Sequence, residues 1–109
     1  MAAGPMKMRA TLAGGGTAAA YTDVRVLMTH PMETGQRKDA DGKIIPLHFI
    51  QNVTVKQNGK TAVEAQISQA VSRNPVFTFR LKGGAKGDKI EVSWLDNEGQ
   101  TNKTEAAVA

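Results

Sequence analysis

An antiparallel β-sandwich of about seven strands is the fold class the sequence predicts, on three observations. Apolar and polar residues alternate with a period of two in segment after segment, the mark of strands with one face in a core and one in water. Turn residues separate these segments at near-regular spacing, most clearly Asn58-Gly59, a pair that accepts positive φ and is a strong hairpin signal. Helical periodicity is almost absent from the 109 residues, so no helical layer is available to cover a sheet. Together these describe an all-β, immunoglobulin-like antiparallel sandwich.

The elements follow in order. "KMRATLA" opens the domain, and "LAGGGTAAAY", Leu12 to Tyr21, reads as a flexible connection of small residues. "DVRVLM" sets Val24, Val26 and Met28 on one face. "HFIQNVTVKQ" points Phe49, Val53 and Val55 inward, and "KTAVEAQI" returns from the Asn58-Gly59 turn. "PVFTFRLK" alternates with Phe77, Phe79 and Leu81 inward. "GGAKGD" then turns into "KIEVSWLD", where Ile90, Val92 and Trp94 face the core, and "DNEG" turns into "QTNKTEAAV". Val26, Phe77, Phe79, Val92 and Trp94 are the expected core. Residues 1–5 read as a flexible N-terminal tail and residues 6–109 as a single domain, as the length suits.

Two apolar residues break the alternation. Leu27 lies opposite the face of Val24, Val26 and Met28, and Ile50 lies opposite that of Phe49. A strand apolar on both sides is covered on both sides, by a partner or by local bulging and loop folding, and either account fits.

Composition removes several functions. With no cysteine the chain forms no disulfide, offers no thiolate nucleophile and builds no thiolate metal site. "MAAGPMKMRA" lacks the apolar stretch of a secretory signal, and no run is long enough to span a membrane. Fourteen basic against ten acidic residues give a net charge of +4. The positive side chains (Lys7, Arg9, Arg25, Lys56, Arg80, Lys89) are scattered one or two per strand, as on a solvated sheet face, so no basic cluster and no nucleic-acid binding is expected.

The segment from Thr29 to Phe49, "THPMETGQRKDADGKIIPLHF", holds both histidines and a high density of charge. His30 and His48 with Asp39 or Asp41 would be a workable zinc or iron set, but their spacing matches no compact metal signature, and no metal is expected. "DADG" begins like a calcium loop, yet the twelfth position from Asp39 is Ile50, where a bidentate Glu is needed. A polar hairpin tip is the simpler reading. Ser68, Ser72 and Ser93 lack a strained glycine elbow. Asp88, Glu91, Asp96 and Glu98 fall in turns or on a wet face, where no paired-carboxylate cleft forms. "GGAKG" lacks the setting of a phosphate loop. No catalytic residue and no cofactor is expected, and a binding or structural subunit is favoured. Its charged loop carries side chains suited to an interface.

"VRVLMTHPMETGQRKDADGKIIPLHFI", followed by "NGK", "NPVFTFRLKG" and "GDKIEVSWLDNEG", resembles the SoxZ family, the Z subunits of the sulfur-oxidation (Sox) carrier. The resemblance covers about Met6 to Ala109, and its "HPMETGQRKD" core is specific; the longer "AGGGTAAAY" stretch departs from it. It implies an immunoglobulin-like sandwich paired with a Y subunit. The Y subunit's C-terminal Gly-Gly-Cys-Gly-Gly arm carries sulfur intermediates during thiosulfate oxidation. It further implies transient contact with other Sox enzymes, no nucleic acid or membrane partner, and a periplasmic location reached with a Y subunit that bears the export signal. Zero cysteine suits this: a carrier that works through one thiol gains from a partner offering no rival thiol. His30, Pro31, Met32, Glu33, Thr34, Gly35, Gln36, Arg37 and Asp39 match the family motif. The expected partner-binding set is Leu27, His30, Met32, Glu33, Gln36, Arg37, Asp39 and Ile50. The competing reading is a free-standing immunoglobulin-like module that binds an anionic ligand or nucleic acid.

Overall fold

The structure is a computed structural model and describes residues 6–15, 18–68, 71 and 73–109; the expected tail at 1–5 lies outside them. Seven strands follow in order: β1 (Lys7–Gly15), β2 (Ala18–Leu27), β3 (Ile50–Gln57), β4 (Lys60–Gln66), β5 (Val76–Lys82), β6 (Lys89–Asp96) and β7 (Thr101–Ala107). They form two antiparallel sheets, one ordered β1-β2-β5 and the other β4-β3-β6-β7. This is the immunoglobulin-like sandwich that the alternation predicts. Its core is the set of inward positions: Val24 and Val26 of β2, with Met28 just past its end, meet Val53, Val55, Ile90, Val92 and Trp94 of the facing sheet. Val26, Val92 and Trp94 are buried as expected, whereas Phe77 and Phe79 are only half-buried and stack on each other. β5 is an edge strand, so its inward side chains line the flank of the core.

Three expectations are corrected. The small-residue stretch from Leu12 to Tyr21 is strand on both sides of residues 16 and 17, paired Leu12 to Thr22, Ala13 to Tyr21 and Gly15 to Ala18. A ladder is made of backbone groups, which small residues supply as well as large ones, so weak side-chain propensity is overridden by a neighbouring strand. Ile50 is fully buried in the core. A register shift between Ile50 and Asn52 lets two β3 residues oppose one of β6, and this bulge turns Ile50 and Val53 to the same side. Of the two accounts left open for Ile50, local bulging is the one observed. Leu27 stays on the outer face, 39% exposed. Third, the basic residues fall one or two per strand as expected, but four of the six, Lys7, Arg9, Arg25 and Arg80, share one face together with Lys82. Cross-strand register lines up Lys7, Leu27 and Val76, then Arg9, Arg25 and Thr78, then Thr11, Asp23 and Arg80, and finally Ala13, Tyr21 and Lys82 on the outer face of β1-β2-β5.

Candidate functional site

The chain crosses between sheets from β2 to β3 through residues 28–49, and this crossing folds back on itself. Glu33 and His48 exchange both backbone hydrogen bonds, at 2.6 and 3.0 Å. Ile45 N–H donates to Arg37 O, and Lys38 pairs with Ile44. The result is an irregular hairpin whose tip is "DADGK". There Asp39 Oδ1 accepts the N–H groups of Asp41 and Lys43 at 2.9 and 3.0 Å, and Gly42 takes the positive φ of 78° that closes the turn. The polar-tip reading of "DADG" holds for a physical reason: an Asp side chain organises its own turn when a Gly supplies the left-handed residue.

The base of the hairpin is pinned by a cluster that joins three separate segments. His30 Nε2 lies 3.1 Å and His48 Nε2 2.6 Å from the same oxygen, Oδ2 of Asp96. Asp96 Oδ1 accepts the backbone N–H groups of Glu98 and Gln100 at 3.0 and 2.8 Å. The carboxylate therefore takes four donors while lying 2% exposed. Burial pushes its pKa up, but the two imidazoles and two backbone amides together outweigh burial and hold it below the ordinary carboxylate value. Asp96 is thus not the wet turn residue expected. Its neighbour Asn97 adds two more ties, accepting from Phe49 N–H at 2.8 Å and donating to Leu47 O at 2.9 Å. His30 also exchanges hydrogen bonds with Asn74, its N–H to the side-chain oxygen and its carbonyl from the Asn74 N–H, each 3.0 Å.

The tautomer of His30 follows from its partners. Its Nδ1 accepts the Met32 N–H at 3.1 Å, which leaves the proton on Nε2, directed at Asp96. Burial, the largest influence, lowers the His30 pKa, and the Asp96 hydrogen bond opposes that shift. The ring packs edge-on against Trp94 and His48, with centroids 5.0 and 4.5 Å away. One ligand atom from each of His30, His48 and Asp96 lies within 4.8 Å of the others, so the geometry invites a metal reading. The hydrogen bonding opposes it: a metal on Nε2 would need the lone pair that the proton holds, and moving the proton to Nδ1 would set two donors against each other at Met32. Asp39, the carboxylate weighed as a ligand from the sequence, instead spends its Oδ1 on the hairpin tip. What the cluster does chemically is fasten the hairpin base to the β6–β7 turn and to the core.

Of the residues expected at an interface, the structure sets His30, Met32 and Ile50 inside, and Leu27, Gln36, Arg37 and Asp39 on the surface, with Glu33 between. Met32 takes a φ of 47° and its Sδ receives the Ile50 N–H at 3.4 Å, so it plugs the hairpin base. Arg37 grips Glu33 with both Nε and Nη2, at 3.1 and 2.5 Å, and lowers the Glu33 pKa. Sequence reasoning missed Ile44 and Leu47, large apolar side chains 61% and 39% exposed on the returning arm. The signal was available: "KIIPL" is an apolar run inside a polar loop, with nothing in its alternation to say which members face water. Asp96 carried no signal beyond being a turn Asp.

A family model described as sulphur oxidation protein SoxZ matches residues 8–107, nearly the whole chain. No curated protein matches the chain at a significant level.

Proposed function

Because the chain belongs to the SoxZ family of sulphur oxidation proteins, we propose that it is the non-catalytic docking half of a heterodimeric sulfur carrier. In this reading a Y subunit holds sulfur intermediates on its cysteine during thiosulfate oxidation, and the pair works in the periplasm. The observation that carries the reading is the hairpin at residues 33–48: its base is immobilised by the Asp96 cluster, while its outer surface offers Ile44 and Leu47 beside Gln36, Arg37 and Asp39. A rigid loop with exposed apolar anchors and a polar rim suits recognition, because little conformational entropy is lost on binding. His30, Met32 and Ile50 serve that surface from beneath, by positioning. The absence of cysteine from the sequence fits a subunit that must not compete with its partner's thiol.

Titration calorimetry against the Y subunit tests this. Ile44→Ser and Arg37→Ala should each weaken the complex about tenfold or more, ~1.4 kcal/mol, with little change in the melting temperature of the isolated chain. Wild-type affinity in both variants would remove the hairpin from the interface. No heat with the wild-type chain would remove the carrier reading itself. Thiosulfate oxidation assays that omit the Y subunit should be blank.

A further inference from the structure

The two sheets differ in how their outer faces are charged. The outer face of β1-β2-β5 carries Lys7, Arg9, Arg25, Arg80 and Lys82 against one acid, Asp23. Five positive and one negative side chain leave a surplus of four, which equals the whole net charge of the chain; the other nine bases and nine acids cancel. On β4-β3-β6-β7 the outer positions include Lys56, Lys89 and Lys103 balanced by Glu64, Glu91 and Glu105, and cross-strand ion pairs join Lys89 to Glu105 at 3.2 Å and Lys103 to Glu91 at 3.6 Å. On the basic face Asp23 is taken by Arg80 at 2.9 Å, and Lys7, Arg9, Arg25 and Lys82 make no ion pair among the described residues. Arg9 and Arg25 stand directly opposite each other across the ladder. Like charges in that position destabilise a sheet, so the fold alone gives no reason for the arrangement.

We infer that the outer face of β1-β2-β5 is a docking surface for an acidic protein, separate from the hairpin surface. Neighbouring strands are ~4.8 Å apart and alternate residues ~7 Å apart along a strand, within the ~8 Å screening length of physiological salt, so the fields of these cations add. A groove of about 360 Å³ is lined by Lys7, Met8, Arg9, Arg25 and Leu27, where β1 begins and β2 ends. Beside it Leu27 and Val76, register partners and both exposed, supply an apolar patch. Arginines around exposed aliphatic side chains are the composition of a protein interface. A sheet that binds single-stranded nucleic acid displays open aromatic rings for bases to stack on. The aromatic of this face, Tyr21, is instead covered by the Arg80 guanidinium, 4.0 Å from its ring centroid.

The inference rests on where charge is placed and is independent of the heterodimer reading. A labelled poly-L-glutamate peptide serves as the probe of a carboxylate-rich surface, with anisotropy measured on the full chain and on its complex with the Y subunit. Arg9→Glu with Arg25→Glu should weaken binding about tenfold or more, whereas Lys60→Glu with Lys86→Glu, the same change in net charge at the far turns, should change it less than about twofold. Arg9→Gln with Arg25→Gln, which removes the repulsion between the two arginines, should also lose binding while melting at or above the wild-type temperature. Equal losses in the two glutamate pairs would show that binding follows net charge and would overturn the inference. So would tighter binding of a DNA oligonucleotide, or of phosphatidylglycerol vesicles, through the same arginines. Loss of the Y subunit in the glutamine variant, as large as the loss of polyglutamate, would make this face the heterodimer interface and overturn a separate surface.

Discussion

Two turns in this protein are written in the same grammar and used differently. "DADGK" at the hairpin tip and "DNEGQ" between β6 and β7 each begin with an Asp whose Oδ1 accepts the N–H groups two and four residues on. In each, the first and fifth residues exchange a backbone hydrogen bond, Asp39 N–H to Lys43 O at 2.8 Å and Asp96 N–H to Gln100 O at 2.9 Å. A Gly at the fourth position takes a φ of 78° or 81°. The difference is the second carboxylate oxygen. Asp39 is exposed at the tip, whereas Asp96 Oδ2 is buried and receives both histidines of the chain. Local sequence makes the turn; whether the turn also bears the fold depends on what is packed against its outer oxygen.

The widest gap between the two turns should appear on removing the carboxylate. Asp96→Ala leaves two buried imidazole N–H groups and two partly buried backbone N–H groups without acceptors, and should cost ~3–5 kcal/mol in urea unfolding. Asp39→Ala, where water replaces the lost acceptor, should cost ~1 kcal/mol or less. Equal losses would break the comparison.

Acid should expose the same asymmetry. His30 has a lowered folded pKa, so below its ordinary value of ~6.5 the unfolded chain takes up a proton that the folded one refuses, and stability falls as pH drops from there. Asp96, also lowered, contributes stability that is present above its ordinary value of ~3.8 and is lost as pH falls through its folded pKa. Unfolding free energy measured from pH 8 downward should therefore decline first below about 6.5, at up to ~1.4 kcal/mol per pH unit for one proton, and again below about 3.8. His30→Gln should remove the first decline. A wild-type curve flat between pH 7 and 5 would contradict the His30 assignment.

The glycines test what the turns share. Neither Gly42 nor Gly99 has a neighbour within 4 Å of where a Cβ would stand, so Gly42→Ala and Gly99→Ala should each cost only the left-handed strain, ~1–2 kcal/mol, and by similar amounts. A much larger loss at Gly99 would mean that the turn itself, and not Asp96 Oδ2, is the tertiary anchor. The smallest effect belongs to Arg37→Ala. Its pairing with Glu33 lies on a side chain 61% exposed, and the isolated chain should keep nearly the wild-type melting temperature.

The strands were legible because a half-buried sheet imposes its period of two directly on the sequence, as "VFTFRLK" and "KIEVSWLD" show. Ile50 was misplaced by that same logic. One inserted residue in β3 inverts the phase, and nothing in "HFIQNV" marks where the insertion falls. The exposed part of the candidate site, Gln36, Arg37 and Asp39, was readable as polar loop; its buried support was not. His30 and Met32 looked like interface residues because a polar or flexible side chain in a loop gives no hint of the cavity waiting for it.

What the sequence determined by itself was local: alternation, turn chemistry, the cysteine-free composition, and a motif long enough to point to a family. These depend on residues within a few positions of one another. Tertiary structure decided which residues distant in sequence came to share a face or a cavity. Register between β1, β2 and β5 gathered five cations spread from Lys7 to Lys82 onto one surface. The β6–β7 turn brought Asp96 to histidines 66 and 48 residues away. Charge and hydrogen bonding act through space over ångströms, and separation along the chain carries no information about that distance until the sheets have paired.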